Sequence, residues 1–338
     1  VIFVSSWWIG LPRRAEPRAR VRLYARLVRE NDLLRHIFAT ASALHGAYPR
    51  VLVGPGDDCA VIATHAAPDA PQLLLKVDQV VEGVHFTRET PLHMIARKAI
   101  ARALSDIAAM AGTPLAALAG AVLPRNYAHS RELADALHTR AHAFRVPIVG
   151  GDVASADAPL TISISILGLP HAGRGPVLRS AARPGDHVYV TGELGGSFHR
   201  EPTPDFPFPG GGRHLTFPPR LDEARALADA LGPDLHAMMD TSDGLGIDAG
   251  RLALASRVAI ELDEASLPLA PGASPSNALA DGEDYELLFT SPRELPPDLL
   301  ATRLTRIGRV IKGPAGACTL RTRAGAAIDA ATQGWQHR

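Results

Sequence analysis

A chain of 338 residues is long enough for two domains, and 46% hydrophobic against 21% charged residues is the balance of a folded soluble protein. Thirty-five basic residues offset 35 acidic ones, so no global field favours nucleic acid or an anionic membrane. The two cysteines, Cys59 and Cys318, form no CxxC pair, which excludes a disulfide scaffold and a zinc ribbon and fits a reducing cytoplasm.

Residues 1–28 open on an apolar stretch too short to span a bilayer, and the arginines follow it instead of preceding it as in a secretory signal. They are expected to be peripheral to the fold, and no other stretch reads as a transmembrane helix. Asn31 to Ala43 reads as an opening amphipathic helix, followed by strands at 51–53, 60–62 and 73–81 between Gly, Pro and Asp turns. Pro91 to Ala111 is an Ala-rich helix and Ser130 to Phe144 a second, leading into a strand at Ile148-Val149. Residues 160–168 alternate apolar and hydroxyl side chains, the pattern of a half-buried strand. A linker at 171–176 precedes strand 188–191, and residues 201–219, with six prolines and a GlyGlyGly at 210–212, read as a flexible loop. Helix 221–231 and strands at 259–262, 285–290 and 306–311 follow. This is an α+β pattern of two domains, 29–172 and 173–338.

Aspartates recur at the ends of apolar, strand-like runs: Asp78 after LeuLeuLeuLysVal, Asp152 after ProIleValGlyGly, Asp240 after HisAlaMetMet, with Asp243 just beyond. Asp57-Asp58 stands in a Gly-Pro turn and Asp106 in the Ala-rich helix. Carboxylates converging on one cleft repel unless cations neutralise them, and hard oxygen ligands with few protein carboxylates select Mg²⁺ carried with substrate phosphates. No Walker-type glycine loop and no protein-kinase motif set is present, so such an enzyme holds phosphates through metal ions and a few basic residues. Each aspartate has a plainer reading as a turn former or helix cap.

GlyAspAspCysAlaVal (56–61), ValAspGlnValValGluGlyValHisPhe (77–86), LeuSerAspIleAlaAlaMetAlaGly (104–112) and ValGlyGlyAsp (149–152) occur in that order. ArgProGlyAspHisValTyrValThrGly (183–192), MetAspThrSerAspGlyLeu (239–245) and GlyGluAspTyrGluLeuLeuPhe (282–289) complete the series. The ordered set resembles the thiamine-monophosphate kinase family, of the superfamily that includes aminoimidazole ribonucleotide synthetase and selenophosphate synthetase, over roughly 29–337. The resemblance implies the two-domain fold of that superfamily, a homodimer through the N-terminal domains, and ATP-dependent phosphorylation of thiamine monophosphate. It implies Mg²⁺ ligands at Asp58, Val77 (by its carbonyl), Asp78, Asp106, Asp152, Asp240 and Asp243. It also implies ATP contacts at Gly151, Arg179 and Ser242, and thiamine monophosphate contacts at His85, Glu283 and Trp335. A half-buried histidine, a surface ion pair and a packing ring are the plainer readings of His85, Arg179 and Trp335.

Three departures stand out. Val77, preceded by Lys76, replaces the usual Thr, Ala103 replaces the usual Asn, and the Pro-rich 201–219 interrupts a helical region. The alternatives are another ATP-dependent enzyme of the superfamily, or a catalytically silent nucleotide-binding regulator.

Overall fold

The computed structural model describes residues 36–41 and 47–335. Residues 36–41 are helical; the rest of the expected opening helix and the expected peripheral segment 1–28 lie outside the described residues.

The first sheet holds β1 (Val51–Val53), β2 (Ala60–Ala63), β3 (Gln72–Val81), β4 (Thr113–Pro124), β5 (Ile148–Ala156) and β6 (Thr161–Leu169), in the order β1-β2-β3-β6-β4-β5. Only β4 and β5 run parallel; the other neighbours are antiparallel. The alternation read from residues 160–168 is real: Ile162, Ile164 and Ile166 are buried while the hydroxyls between them are not. Helices α1 (Leu92–Ala109) and α2 (Ser130–Ala143) pack on that inner face. The other face carries Leu75, Val77 and Leu118, all open to solvent.

The second sheet runs β13 (Ala327–Asp329), β12 (Cys318–Arg321), β9 (Ala259–Asp263), β11 (Leu304–Ile311), β7 (His187–Thr191), β10 (Leu287–Ser291), β8 (Ala237–Asp240). Both faces are covered. Helices α4 (Leu245–Ser256) and α5 (Pro275–Ala280) lie on one side against Val188, Val190, Ile260 and Leu288. On the other, Tyr189 stacks on Phe289 at 5.3 Å beside α3 (Leu221–Leu231).

Helix α1 lies between the two sheets and contacts β3, β6, β8 and α3. Alanine favours the helix and keeps its sides thin enough for close approach on every face. From Ile95 to Ala109 nearly every side chain is buried, including Lys98, Ser105 and Asp106. A helix buried all round has no solvent face for polar residues, so those three must find partners inside.

Several elements differ from expectation. The twelve-residue strand β4, unforeseen, is half Ala, Gly and Thr, and its leucines at 115, 118 and 123 do not alternate, so it carries no period-2 signal. Asp78 and Asp152 sit inside β3 and β5, not past their ends. Strand β10 begins at Leu287, because Glu283 and Tyr285 take left-handed backbone that no strand accommodates. The GlyGlyGly is packed, not flexible: Gly210, Gly211 and Gly212 are buried, and a Cβ on Gly212 would meet the Ser197 carbonyl at 2.2 Å. Phe208, His214, Leu215 and Phe217 of the same Pro-rich segment are also buried.

Leu104, fully buried at the centre of α1, tests how far the central helix holds the molecule. Leu104→Ala should cost about 2–5 kcal/mol, read as a lowered urea midpoint with an unchanged slope.

Candidate active site

Asp58, Asp106 and Asp240 come from three elements: the turn between β1 and β2, helix α1, and the last residue of β8. All three are buried, and each offers a carboxylate oxygen within 4.8 Å of the other two. Their neighbours are polar and specific. Ser105 Oγ donates to Asp240 Oδ2 at 2.6 Å. Lys76 Nζ donates to Asp106 Oδ1 at 2.8 Å and lies 3.7 Å from Asp78 Oδ1. Arg179 grips Asp58 with two nitrogens, at 3.0 and 2.5 Å.

Burial, reinforced by the neighbouring Asp58, raises the Asp240 carboxyl to about 6. Burial also raises Asp106, against the pull of Lys76 and together with Asp78 and Asp240. Asp57, desolvated and beside Asp58, rises to about 6, and its oxygens accept the backbone N–H groups of Asp58 and Arg179. Like charges converging in a dry site resist ionisation, and a divalent cation relieves that cost. Buried oxygens this close fit a hard cation such as Mg²⁺ in ligand type and charge.

Of the other expected ligands, Asp78 adjoins this nest through Lys76, and the rest lie outside it. Asp243 pairs with Arg251, which also reaches Asp248 at 2.9 Å. Val77 and Asp152 lie on the outer face of the first sheet. Strand pairing runs Val77–Ser165–Leu118–Gly150, and Asp152 stands two residues beyond Gly150. Asp78 takes the inner face with Lys76, one residue out of phase with Val77. Gly151 has a packing reason of its own, since a Cβ there would meet the Ala119 carbonyl at 1.9 Å. Arg179 is no surface residue: its side chain is largely buried and ties the β1–β2 turn to the segment before β7.

A second polar group surrounds Glu283. Lys98, on α1 and fully buried, donates to Glu283 Oε2 (2.7 Å), the His85 carbonyl (2.7 Å) and His214 Nδ1 (2.6 Å). His214 Nε2 lies 3.1 Å from the Gly210 carbonyl, and Nδ1 lies 3.0 Å from Glu283 Oε2 as well as beside Lys98. Burial pulls the Lys98 ammonium down to about 8, although Glu283 opposes it. For Glu283 the balance reverses: burial raises its carboxyl, but Lys98 and His214 outweigh that and hold it well below the usual range. Burial, with Lys98 beside it, lowers His214. The His85 ring accepts the Val81 N–H at 3.0 Å. Glu283 N donates to the Ser242 carbonyl at 2.7 Å, and Trp335 N to the Asp243 carbonyl at 2.8 Å, so Ser242-Asp243 links the Glu283 loop to Trp335. The Trp335 ring is about half exposed. Asp284 serves structure: it accepts two bonds from Gly195 N (2.9 and 3.0 Å), one from Ser197 Oγ and one from Arg213.

Lys76, Lys98, Arg102 and His214 escaped the reading of the sequence. Two of these, Lys98 and Arg102, were visible in principle. Lys98, Arg102, Ser105 and Asp106 stand at i, i+4, i+7 and i+8, a single polar stripe along an otherwise apolar helix. Arg102 donates to the Gln79 carbonyl at 3.0 Å, and its Nε is buried with no hydrogen-bond partner among the described residues. The stripe connects the carboxylate nest at one end to the Glu283 group at the other.

Known proteins resemble this chain in sequence and fold. The AIR synthase related protein N-terminal domain matches residues 56–169, and the corresponding C-terminal domain matches 183–321. The thiamine-monophosphate kinase of Rhodopirellula baltica is 38% identical over 284 residues, covering 78% of this chain and 84% of that protein. The Escherichia coli enzyme of the same name is 31% identical over 298 residues, covering 80% and 88%. A solved structure of AaThiL complexed with AMPPCP and TMP superposes with a TM-score of 0.73 at 28% identity, covering 94% of this chain and all of that one.

The raised carboxyls give a pH signature. Asp240, Asp57 and Asp284 each reach about 6, Asp284 mainly through desolvation, so between pH 7 and 5 the native chain binds protons that the unfolded chain does not. Their contribution to stability therefore rises as pH falls through that window, by about 1 kcal/mol per pH unit for each group. Urea midpoints in EDTA should show this trend, and Mg²⁺ should flatten it by holding Asp240 ionised. Lys98→Met should leave Glu283 without its main counter-charge and lower the urea midpoint by an amount corresponding to about 3–5 kcal/mol.

Proposed function

The chain belongs to the thiamine-monophosphate kinase family, and on that footing we propose that it transfers the γ-phosphoryl group of ATP to the phosphate of thiamine monophosphate, giving thiamine diphosphate. The observation that carries this reading is the buried nest of Asp58, Asp106 and Asp240, gathered from elements far apart in the chain. Bringing two polyanions together is chiefly a matter of neutralising charge and aligning donor with acceptor. Mg²⁺, when held by these aspartates with Asp78 alongside, supplies Lewis-acid neutralisation of the phosphates.

The chain's own residues do the rest. Arg179 orients Asp58 and contributes a fixed positive charge beside the nest. Ser105 donates to one oxygen of Asp240 and fixes the orientation of that carboxylate. The acceptor is already an ionised phosphate oxygen at neutral pH, so no general base is required, and none of the described residues forms a Ser-His or Cys-His pair. At the far end of the stripe, Lys98 and His214 keep Glu283 ionised, a fit for the thiazolium charge or the aminopyrimidine of the acceptor. Trp335, tethered beside Asp243, presents a ring for cation–π stacking. We assign ATP contacts to Arg179, Ser242 and Gly151, and further metal contacts to Asp243.

The domain boundary falls between Leu169 and His187, because every strand before it joins the first sheet and every strand after it the second. The exposed apolar face of the first sheet supports a homodimer formed through that face, which would carry Val77 and Asp152 of each protomer into the interface. No helix among the described residues is long and apolar enough to cross a membrane. Both cysteines are buried and unpaired, in keeping with the reducing cytoplasm in which we place the protein.

ADP release with and without thiamine monophosphate tests the proposal directly: release should depend on the acceptor. Asp106→Asn should reduce turnover at least 100-fold while keeping the fold, and normal activity at ordinary Mg²⁺ would remove Asp106 from the site. Trp335→Ala should lower kcat/KM for thiamine monophosphate roughly 2- to 30-fold, the loss of about 0.5–2 kcal/mol of stacking, with little change in KM for ATP. Equal effects on both substrates would assign the ring to packing.

A further inference from the structure

Lys76 is the unexpected member of the carboxylate nest. It sits on the inner face of β3, two residues before Asp78 and on the same side, so strand geometry aims both side chains at α1. Its ammonium donates to Asp106 at 2.8 Å and lies 3.7 Å from Asp78. Burial alone would drive a lysine toward the neutral form. Here the Asp106 and Asp78 carboxylates, at 2.8 and 3.7 Å, supply the counter-charges that keep an ammonium in place. On the other side of the nest Arg179 is committed to Asp58.

The charges then nearly close. Once all are ionised, as metal binding requires, Asp58, Asp78, Asp106 and Asp240 bring four negative charges, Lys76 and Arg179 return two positive ones, and the remainder is the charge of a single divalent ion. Asp57 stands outside this tally, its oxygens engaged by backbone N–H groups. A divalent ion seated between Asp78 and Asp106 would have to displace the ammonium or share its space at close range, and like charges in a site this dry repel strongly.

We propose that Lys76 is a built-in cation: it takes the charge-neutralising place of one divalent ion on the Asp78–Asp106 side of the nest and leaves the Asp58–Asp240 side to metal. The inference rests on the metal-assisted phosphoryl transfer proposed above, and it concerns how many ions the resting site accepts. A lysine does the neutralising part of a metal ion's work without a dissociation equilibrium. It lacks the ion's ability to hold several oxygens at fixed angles.

The test counts bound Mn²⁺ per chain in the nucleotide-free protein, by equilibrium dialysis with electron paramagnetic resonance of the free ion. The wild type and Lys76→Arg should bind one tight ion. Lys76→Met and Lys76→Thr should bind one more, and in EDTA both should melt below the wild type and regain more of their melting temperature on addition of Mn²⁺. A variant that does not fold in EDTA is refolded with Mn²⁺ before counting, and its count decides in the same way. Equal numbers of ions in wild type, Lys76→Met and Lys76→Thr would overturn the role of Lys76 while leaving metal-assisted transfer in place. A wild type that binds no Mn²⁺, even with a non-hydrolysable ATP analogue, would overturn both.

Discussion

Burial of a charged stripe on helix α1 is the constraint on which the rest of the structure depends. Lys98, Arg102, Ser105 and Asp106 share one side of a helix that is closed in on nearly all faces, and Lys98, Ser105 and Asp106 cannot be hydrated in place. Each therefore has to be met by a group from another element. Asp106 recruits Lys76 from β3, Ser105 recruits Asp240 from β8, and Lys98 recruits Glu283, His214 and the His85 carbonyl. Breaking one such pair strands the other charge in a medium that cannot screen it. The two sheets are thus registered against each other by polar contacts as well as by apolar packing, and those contacts also bound the site.

The same stripe explains the spatial order of the chemistry. Carboxylates gather at its C-terminal end and an ionised glutamate is held at its other end, about two helical turns away by the rise of an α-helix. A nucleotide held through metal at one end and a cationic acceptor held at the other would meet over the middle of the helix. Arg102, whose Nε has no partner there, lies between the two.

Much of this was legible in the sequence because it depended on local pattern. The Ile-Ser alternation of residues 160–168 announces a strand with one dry face, and the Ala-rich run after Pro91 announces a buried helix. Three of the expected metal aspartates do meet in one nest. What was not legible was set by tertiary contact. Strand β4 spaces its leucines irregularly among Ala and Gly and shows no period, and its identity comes from pairing with β5 and β6. Asp152 was grouped with the other ligands by motif, and the register turns its side chain to the face opposite Asp78, whereas Val77, expected to act through its carbonyl, is tied to neither face. The glycines at 210–212 looked like slack. Their lack of Cβ atoms serves close approach instead, to Thr87, Phe206 and the Ser197 carbonyl.

Asp58 and Asp106 precede Asp240 by more than a hundred residues, and the ligand oxygens touch only where the two sheets meet. A nascent chain that has emerged only through β6 can complete its first sheet, yet it owns no more than part of the nest. The site is therefore a late product of folding, assembled when the second sheet closes over α1 and not when either sheet forms. Ligands that require the whole nest act as a clasp on that final closure. A lesion that loosens the seam between the sheets, at Arg179–Asp58 or Ser105–Asp240, will surface as lost affinity well before any strand or helix melts.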